Sequence, residues 1–384
     1  MAAPIYLDNH ATTQVDPRVF EVMRPFLEGQ FGNPSSTGHS FGWFAKESVE
    51  IAREQVAELI GATPKEVVFT SGATESNNLA ILGAARTAGT GRVITLVTEH
   101  SSVIASVEAL RSEGFDAQIL PVEPSGLVDL DRLRSAVTDD TVLVSVMAAN
   151  NEIGTLQPLA EISAMCREVG ALFHTDAAQI TGKVAFDVRE LGVDIASITA
   201  HKMHGPKGVG AMYVRKGRPR VRLSPVIHGG GQERGFRPGT LAPHQIAGLG
   251  ASARFSMEGF LTGEPVQMES LRDRLLEIVG SVEGVTVNGL MNHRLPNNLN
   301  INVADIDGKA LVLALRGVAF SSGSACSSAS LKPSRVLTAI GADLSTDTAS
   351  LRFGIGRFTT SAEIEAAGSV FVEQVERVRG LMKG

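Results

Sequence analysis

The stretch ALFHTDAAQITGKVAFDVRELGVDIASITAHK, Ala171 to Lys202, sets the architecture. It opens on an apolar run that ends in HTDAAQ and closes on a second, DIASITA, that ends in HK. Runs of this length and composition read as buried strands, and each presents its polar groups where the strand stops. Five more runs of the same kind are EVVFT, RVITLV, AQILPV, TVLVSVM and GAMYVR. Amphipathic stretches such as SVIASVEALRSEG and LAEISAMCREVG separate them. Strands alternating with helical patterns predict an α/β fold whose mostly parallel, seven-stranded sheet lies between helices, with ligands beyond the carboxyl ends of its strands. The chemical residues fall there: TSGATESNN follows EVVFT, TEHSSV follows RVITLV, ANNEIG follows TVLVSVM, TDAAQ follows ALFH and AHK follows DIASIT. Five strand ends are expected around one site.

With 384 residues, 43% of them hydrophobic, the chain can form one large core and a smaller second one. Beyond about residue 255 the pattern changes to a helical stretch, MESLRDRLLEIVGSV, short strands NNLNINVA and GVAFSSG, and a final helix from Ser361, which reads as a second domain. The net charge of −6 is spread through the chain, so nucleic acid is not an expected partner. No apolar run reaches spanning length, since KALVLALRGVAF is broken by Arg316, and the start MAAPIYLDNHATT lacks the regions of a signal peptide. A soluble, cytoplasmic protein without a membrane partner is expected. The two cysteines, Cys166 and Cys326, lie far apart and form neither a disulfide framework nor a CxxC pair.

Asp176 and Lys202 together name a cofactor. A carboxylate at a buried strand end can keep a pyridine nitrogen protonated, and a lysine amine can form a Schiff base with an aldehyde, which is what pyridoxal 5′-phosphate requires. Thr199 and His201 flank that lysine, within reach of a phosphate and ring. In TSGATESNN a glycine turn opens a helix and aims backbone N–H groups and Thr74 at an anion. GxxxxGK[ST] is absent, which argues against an NTPase. His100 in TEHSS can stack on a ring and pass protons; a structural histidine is the plainer reading, and a metal set with His174 and His201 stays open, without HxxxH or HExxH spacing. The amides of Asn151 and Gln179 can hydrogen-bond a phenolic oxygen or simply cap loops. In the glycine-dense HGGGQERGFRPGT, Thr240 could reach a phosphate. Cys166 lies on a helical pattern and reads as an inert core thiol. Cys326, among the small residues of SSGSACSSAS, reads instead as a thiol on an exposed, moving loop. Arg352, between apolar residues in SLRFGIGRF, can grip a carboxylate or serve a structural ion pair.

YLDNHATT, GNPSSTGHSFG, FTSGATESNN, TEHSSV, NNEIGTLQP, HTDAAQ, AHKMHGPKGVG, GGGQERG, SSGSACSSAS and LRFGIGRFTT occur in the order found in the cysteine desulfurases. The chain resembles that family from residue 6 to 360, and its short SGSAC loop resembles the NifS and IscS branch rather than the SufS branch. The resemblance implies a fold-type-I pyridoxal phosphate enzyme, a homodimer. The large cofactor domain would span 15–255, and the smaller α+β domain would combine 1–14 and 256–384. It implies Lys202 as the Schiff-base lysine, Asp176 under the ring nitrogen, and Gln179 and Asn151 on the phenolic oxygen and substrate, with His100 as the stacking acid or base. Ala73, Thr74, Thr199, Ala200 and His201 would surround the phosphate, with Thr240 entering from the neighbouring subunit. Arg352 would hold the carboxylate of L-cysteine and Cys326 would carry its sulfur. A sulfur-acceptor protein, such as an iron–sulfur scaffold or a tRNA-thiolation enzyme, is the implied partner. No metal of the protein's own is expected, although Cys326 could ligate a transferred iron–sulfur cluster.

Two departures from the family pattern stand out. Pro238 replaces a common serine in RPGT and removes a donor, and the sequence ends at Gly384 without the longer tail that IscS proteins use to engage a scaffold. Two rival readings are another pyridoxal phosphate reaction, transamination or selenocysteine lysis, which needs no thiol at Cys326, and a silent docking subunit, which the intact lysine, aspartate and cysteine oppose.

Overall fold

The computed structural model describes residues 4–217, 219–323 and 333–382. The expectations attached to Cys326 lie outside the described residues. After a short strand β1 (Ile5–Tyr6) and two helices, α1 (Pro17–Glu28) and α2 (Ser40–Leu59), strands and helices alternate. They are β2 (Val67–Thr70), α3 (Ala73–Ala88), β3 (Arg92–Leu96), α4 (Ser101–Ser112), β4 (Asp116–Leu120), α5 (Leu130–Ala136), β5 (Thr141–Ser145), α6 (Leu159–Val169) and β6 (Leu172–Asp176). Strands β7 (Ile195–Thr199) and β8 (Gly210–Val214) follow, then the long helix α7 (Pro243–Leu261).

Seven strands form one sheet in the order β2-β8-β7-β6-β5-β3-β4. Only the pairings of β8, with β2 and β7, are antiparallel. Each of the seven apolar runs read from the sequence forms one of these strands. The cause is burial on both faces: every residue of β2, β7 and β8 is buried. Side chains alternate between two cores, so that in β2 Val67 and Phe69 meet α2 and α6 residues such as Val56 and Ile162, whereas Val68 meets Leu79 and Val107 of α3 and α4. Each fully buried side chain of this size stabilises the fold by roughly 1.5–3 kcal/mol. Gly210 lets β8 approach the loop before α3, because a Cβ there would stand 2.4 Å from the Ile198 carbonyl oxygen and 2.7 Å from Gly72 Cα.

A second sheet follows, with its own core. Its elements are α8 (Glu264–Val279), β9 (Val285–Val287), β10 (Asn298–Val303), α9 (Gly308–Ala314), β11 (Val318–Ala319), β12 (Ser321–Ser322), α10 (Arg335–Ala339), β13 (Ala349–Gly354) and α11 (Ser361–Met382). Strands β12-β13-β10-β9 pair antiparallel. In β10, NLNINV, period-two alternation sends Leu299, Ile301 and Val303 into a core with Phe353 and Phe371. The asparagines face the other way, and Asn298 and Asn300 both donate to the Glu152 carbonyl at 3.1 Å, docking this sheet on the loop after β5. The N-terminal segment joins this second core: β1 pairs parallel with β11 and Leu7 is buried in it. No helix among the described residues is long and apolar enough to cross a membrane.

Candidate active site

The carboxyl ends of β2, β5, β6 and β7, the loop after β3, the N-terminal segment and β13 enclose a cavity of about 660 Å³. Asp176, Lys202, His100, Gln179, Asn151, Ala73, Thr74, Thr199, His201 and Arg352 all line it. Two of the expected residues do not. Ala200 lies fully in the core with its N–H donated to the Val209 carbonyl at 3.2 Å, so it offers no donor to a phosphate in the cavity. Thr240 is exposed and away from this cavity in its own chain.

Asp176 ends β6, only 6% exposed, and its carboxylate accepts from Ala178 N at 3.0 Å and from Asn77 Nδ2 at 2.7 Å. Lys202 closes the turn after β7 and donates Nζ to the carbonyls of His10 and, at 2.8 Å, Ala11. Burial, and then the charge of Arg352, push this amine down to about 8. Beneath it, buried Lys183 donates Nζ to the Gln179 carbonyl at 2.9 Å and is pushed down to about 7 by burial and by the Lys202 charge.

Helix α3 is preceded by the capping residue Gly72, whose φ of 149° favours glycine, and the first backbone bond at its start is Ser76 N to Gly72 O. That leaves the earlier N–H groups of a 16-residue helix facing the cavity beside Thr74 and Thr199, a cradle for an anion. His201 and Lys207 stand on the same side. His201 contacts Thr12 Oγ1 at 3.1 Å, and burial with the Lys202, Lys207 and Lys183 charges holds it down at about 4. A cradle suited to a phosphate, a buried carboxylate and a lysine amine in one cavity fit pyridoxal phosphate.

Arg352 on β13 donates to Asn151 O at 2.9 Å, to Ser321 Oγ at 2.7 Å and to Asp8 Oδ1 at 3.0 Å. Its Nε is buried with no acceptor among the described residues. It thus makes the structural ion pair and lines the cavity as well. A second cavity, of about 410 Å³, adjoins on the side of His100, Asn151 and Arg352, and Gly323 and Pro333 line it. These two are the described residues on either side of the Cys326 segment. Cys166 lies in the core, and burial pushes its thiol up to about 12. His174 is wholly buried between Ser145 Oγ at 2.8 Å and Ser197 Oγ at 3.0 Å, inside the sheet.

Sequence reasoning missed His10, Asn77, Ser102, Lys183 and Lys207. The His10 ring meets Gln179 Oε1 at 3.0 Å through Nδ1 and Asn297 O at 3.1 Å through Nε2, while its carbonyl accepts from Gln179 Nε2 at 3.0 Å. Gln179 is therefore clasped by the N-terminal segment. The one signal for Asn77 and Ser102 is a polar residue on the sheet-facing side of a helix start, where the apolar period calls for a hydrophobic side chain.

Residues 5–367 match the class-V aminotransferase model. The chain belongs to the class-V aminotransferase family, whose members are pyridoxal phosphate enzymes. Within it the chain stands with the cysteine desulfurases. It is 50% identical over 384 residues to the cysteine desulfurase IscS of Dechloromonas aromatica strain RCB, covering 99% of this chain and 94% of that one. A solved NifS-like protein superposes with a TM-score of 0.90 at 37% identity, covering 97% of this chain and 99% of that one. SspA in complex with cysteine superposes at 0.81 with 35% identity, covering 93% and 100%.

Proposed function

We propose that this cysteine desulfurase takes the sulfur of L-cysteine, releases L-alanine and holds the sulfur as a persulfide on Cys326 for transfer to an acceptor protein. The observation that carries this reading is one cavity in which an amine, a buried carboxylate, an imidazole and a guanidinium meet, adjoining a second cavity lined by the residues that flank the Cys326 segment. The likeness to a structure holding cysteine supports the substrate.

Lys202 would hold the cofactor aldehyde, Asp176 its ring nitrogen, Gln179 and Asn151 its phenolic oxygen, and Ala73, Thr74, Thr199 and His201 its phosphate. Pyridoxal phosphate, when bound, supplies an electron sink conjugated to the substrate Cα. The chain's own residues do the rest. Arg352 orients the substrate carboxylate and so selects the Cα–H bond for cleavage. The Lys202 amine, pushed down to about 8, takes that proton on Nζ. Asp176 keeps the proton on the ring nitrogen in place. The Cys326 thiolate attacks the substrate sulfur, so that an S–S bond forms as the C–S bond breaks, and the pair from that bond stays with the carbon skeleton, which is protonated and leaves as alanine.

The same reading makes the enzyme a cytoplasmic homodimer in which Thr240 reaches the partner's phosphate cradle, with a large domain over 15–255 and a small one over 1–14 and 256–384. Exposure of Thr240 and of the aromatic faces of α1 and α2 supports the dimer. The acceptor would be an iron–sulfur scaffold or a tRNA-thiolation enzyme. Cys326→Ser is expected to keep the visible absorbance of the bound cofactor and to form no alanine from cysteine. Full turnover by that variant, or a keto acid as the product, would overturn the proposal.

A further inference from the structure

Asp176 and His100 stand at the ends of different strands, yet a continuous run of hydrogen bonds joins them. Asn77 Nδ2 donates one hydrogen to Asp176 Oδ2 at 2.7 Å and the other to Ser102 Oγ at 2.9 Å. Ser102 Oγ lies 2.8 Å from His100 Nδ1, and the Ser102 backbone N–H donates to the same nitrogen at 3.2 Å. Asn77 is fully buried, and Ser102 is 9% exposed. Water therefore has little access to the run up to the His100 ring, which is itself exposed.

Donor and acceptor rules give every proton in it a direction. Asp176 takes the Ala178 N–H on one oxygen and Asn77 on the other, so the amide must turn its NH2 group to the carboxylate. The second amide hydrogen then occupies a lone pair of Ser102 Oγ, and the hydroxyl hydrogen is left for His100 Nδ1. A backbone N–H can only donate, so the cap of α4 demands an acceptor at Nδ1 independently. Asn77 Oδ1 is left buried and unpartnered among the described residues, which marks the amide's orientation as fixed by its NH2 side.

We infer that Asn77 and Ser102 are positioning residues that hold neutral His100 as the Nε2–H tautomer, so that the imidazole faces the cavity as a proton donor and has no lone pair free at Nδ1. Lys202 is then the group that takes protons and His100 the group that gives one. The tautomer follows from the hydrogen bonds alone, whereas the acid role rests on the desulfurase reading above.

The test is a long-range proton–nitrogen correlation spectrum of the holoenzyme labelled with ¹⁵N-histidine, with His100 assigned by its loss in His100→Gln. At a pH where the ring is neutral, the expected pattern is an unprotonated Nδ1 and a protonated Nε2. In Ser102→Ala the Nε2–H to Nδ1–H ratio should fall about fivefold, the equivalent of one hydrogen bond of about 1 kcal/mol, and Ser102→Thr should restore it. kcat for alanine formation should follow the fraction of rings in the Nε2–H form, r/(1 + r) for a ratio r, while KM holds. A protonated Nδ1 in the wild-type enzyme, or an unchanged ratio in Ser102→Ala, would overturn the inference, and the wild-type spectrum decides even if the variant fails to fold. Failure of the desulfurase reading is separable: it would leave this spectrum intact while cysteine gave no alanine.

Discussion

Lys202 keeps its amine near a cationic guanidinium and away from water, and both depress its basicity to about 8 from an ordinary value of 10.5. A lysine acts as nucleophile and base only when neutral, so loading of cofactor-free protein is expected to accelerate as pH rises through about 8, followed by growth of the visible band. Lys202→Ala should give no such band at any pH. The sign for stability is the same. Between pH 8 and 10 the unfolded chain binds more protons at positions 183 and 202 than the folded chain does, so the cofactor-free protein should gain stability with pH across that window. Urea midpoints that fall instead would contradict the assignment of these two amines. Lys202 and Asp176 are legible in the sequence because residue type and position at a strand end both point to them. His10, Asn77 and Ser102 are not. They act through geometry across 169, 99 and 25 residues of separation, and the one local trace, a polar residue on the sheet-facing side of a helix start, names no partner.

The loop from His228 to Thr240 reads from its sequence as a permissive glycine segment, but a buried charge pair holds it. Arg53 of α2 grips Glu233 through two nitrogens at 2.8 Å, and Glu233 Oε2 also accepts from Phe69 N at 2.8 Å on β2. The grip holds Glu233 and Arg234 at φ of 47° and 58°, a left-handed pair that neither residue favours. Arg237 fastens the far side of the loop to Glu75, in the first turn of α3, at 2.8 Å. Arg53→Met would leave a buried carboxylate without its partner, and a loss of about 3–5 kcal/mol in chemical denaturation is expected. A loss below about 1 kcal/mol would mean that the loop holds its shape by other means. The strands, by contrast, follow the apolar runs closely, because burial on both faces leaves a composition that a sequence displays directly.

Phe31, Trp43 and Phe44 are 72%, 57% and 52% exposed, and Phe44 and Ile51 line a groove between α1, α2 and α7. An apolar surface of this kind on a single chain suits a second copy. If the proposed dimer forms through this surface, Trp43→Glu with Phe44→Glu should sediment as a monomer and lose cofactor faster than the wild type. An unchanged dimer would move the interface elsewhere. The sequence marks these aromatics only as hydrophobic; that they lie outside the core emerges once the helices are placed.

The path of residues 5–11 has a consequence of its own. Its first residues pair with β11 and then bridge to Gly354 at the end of β13 in the smaller sheet, and His10 meets Asn297 beside β10, while the carbonyls of His10 and Ala11 cradle the Lys202 amine beyond the larger one. In the cofactor-free protein, any rocking of one sheet against the other would tug this tether and strip acceptors from the ammonium form, so the posture of the chain is registered at a single nitrogen as a change in its appetite for protons.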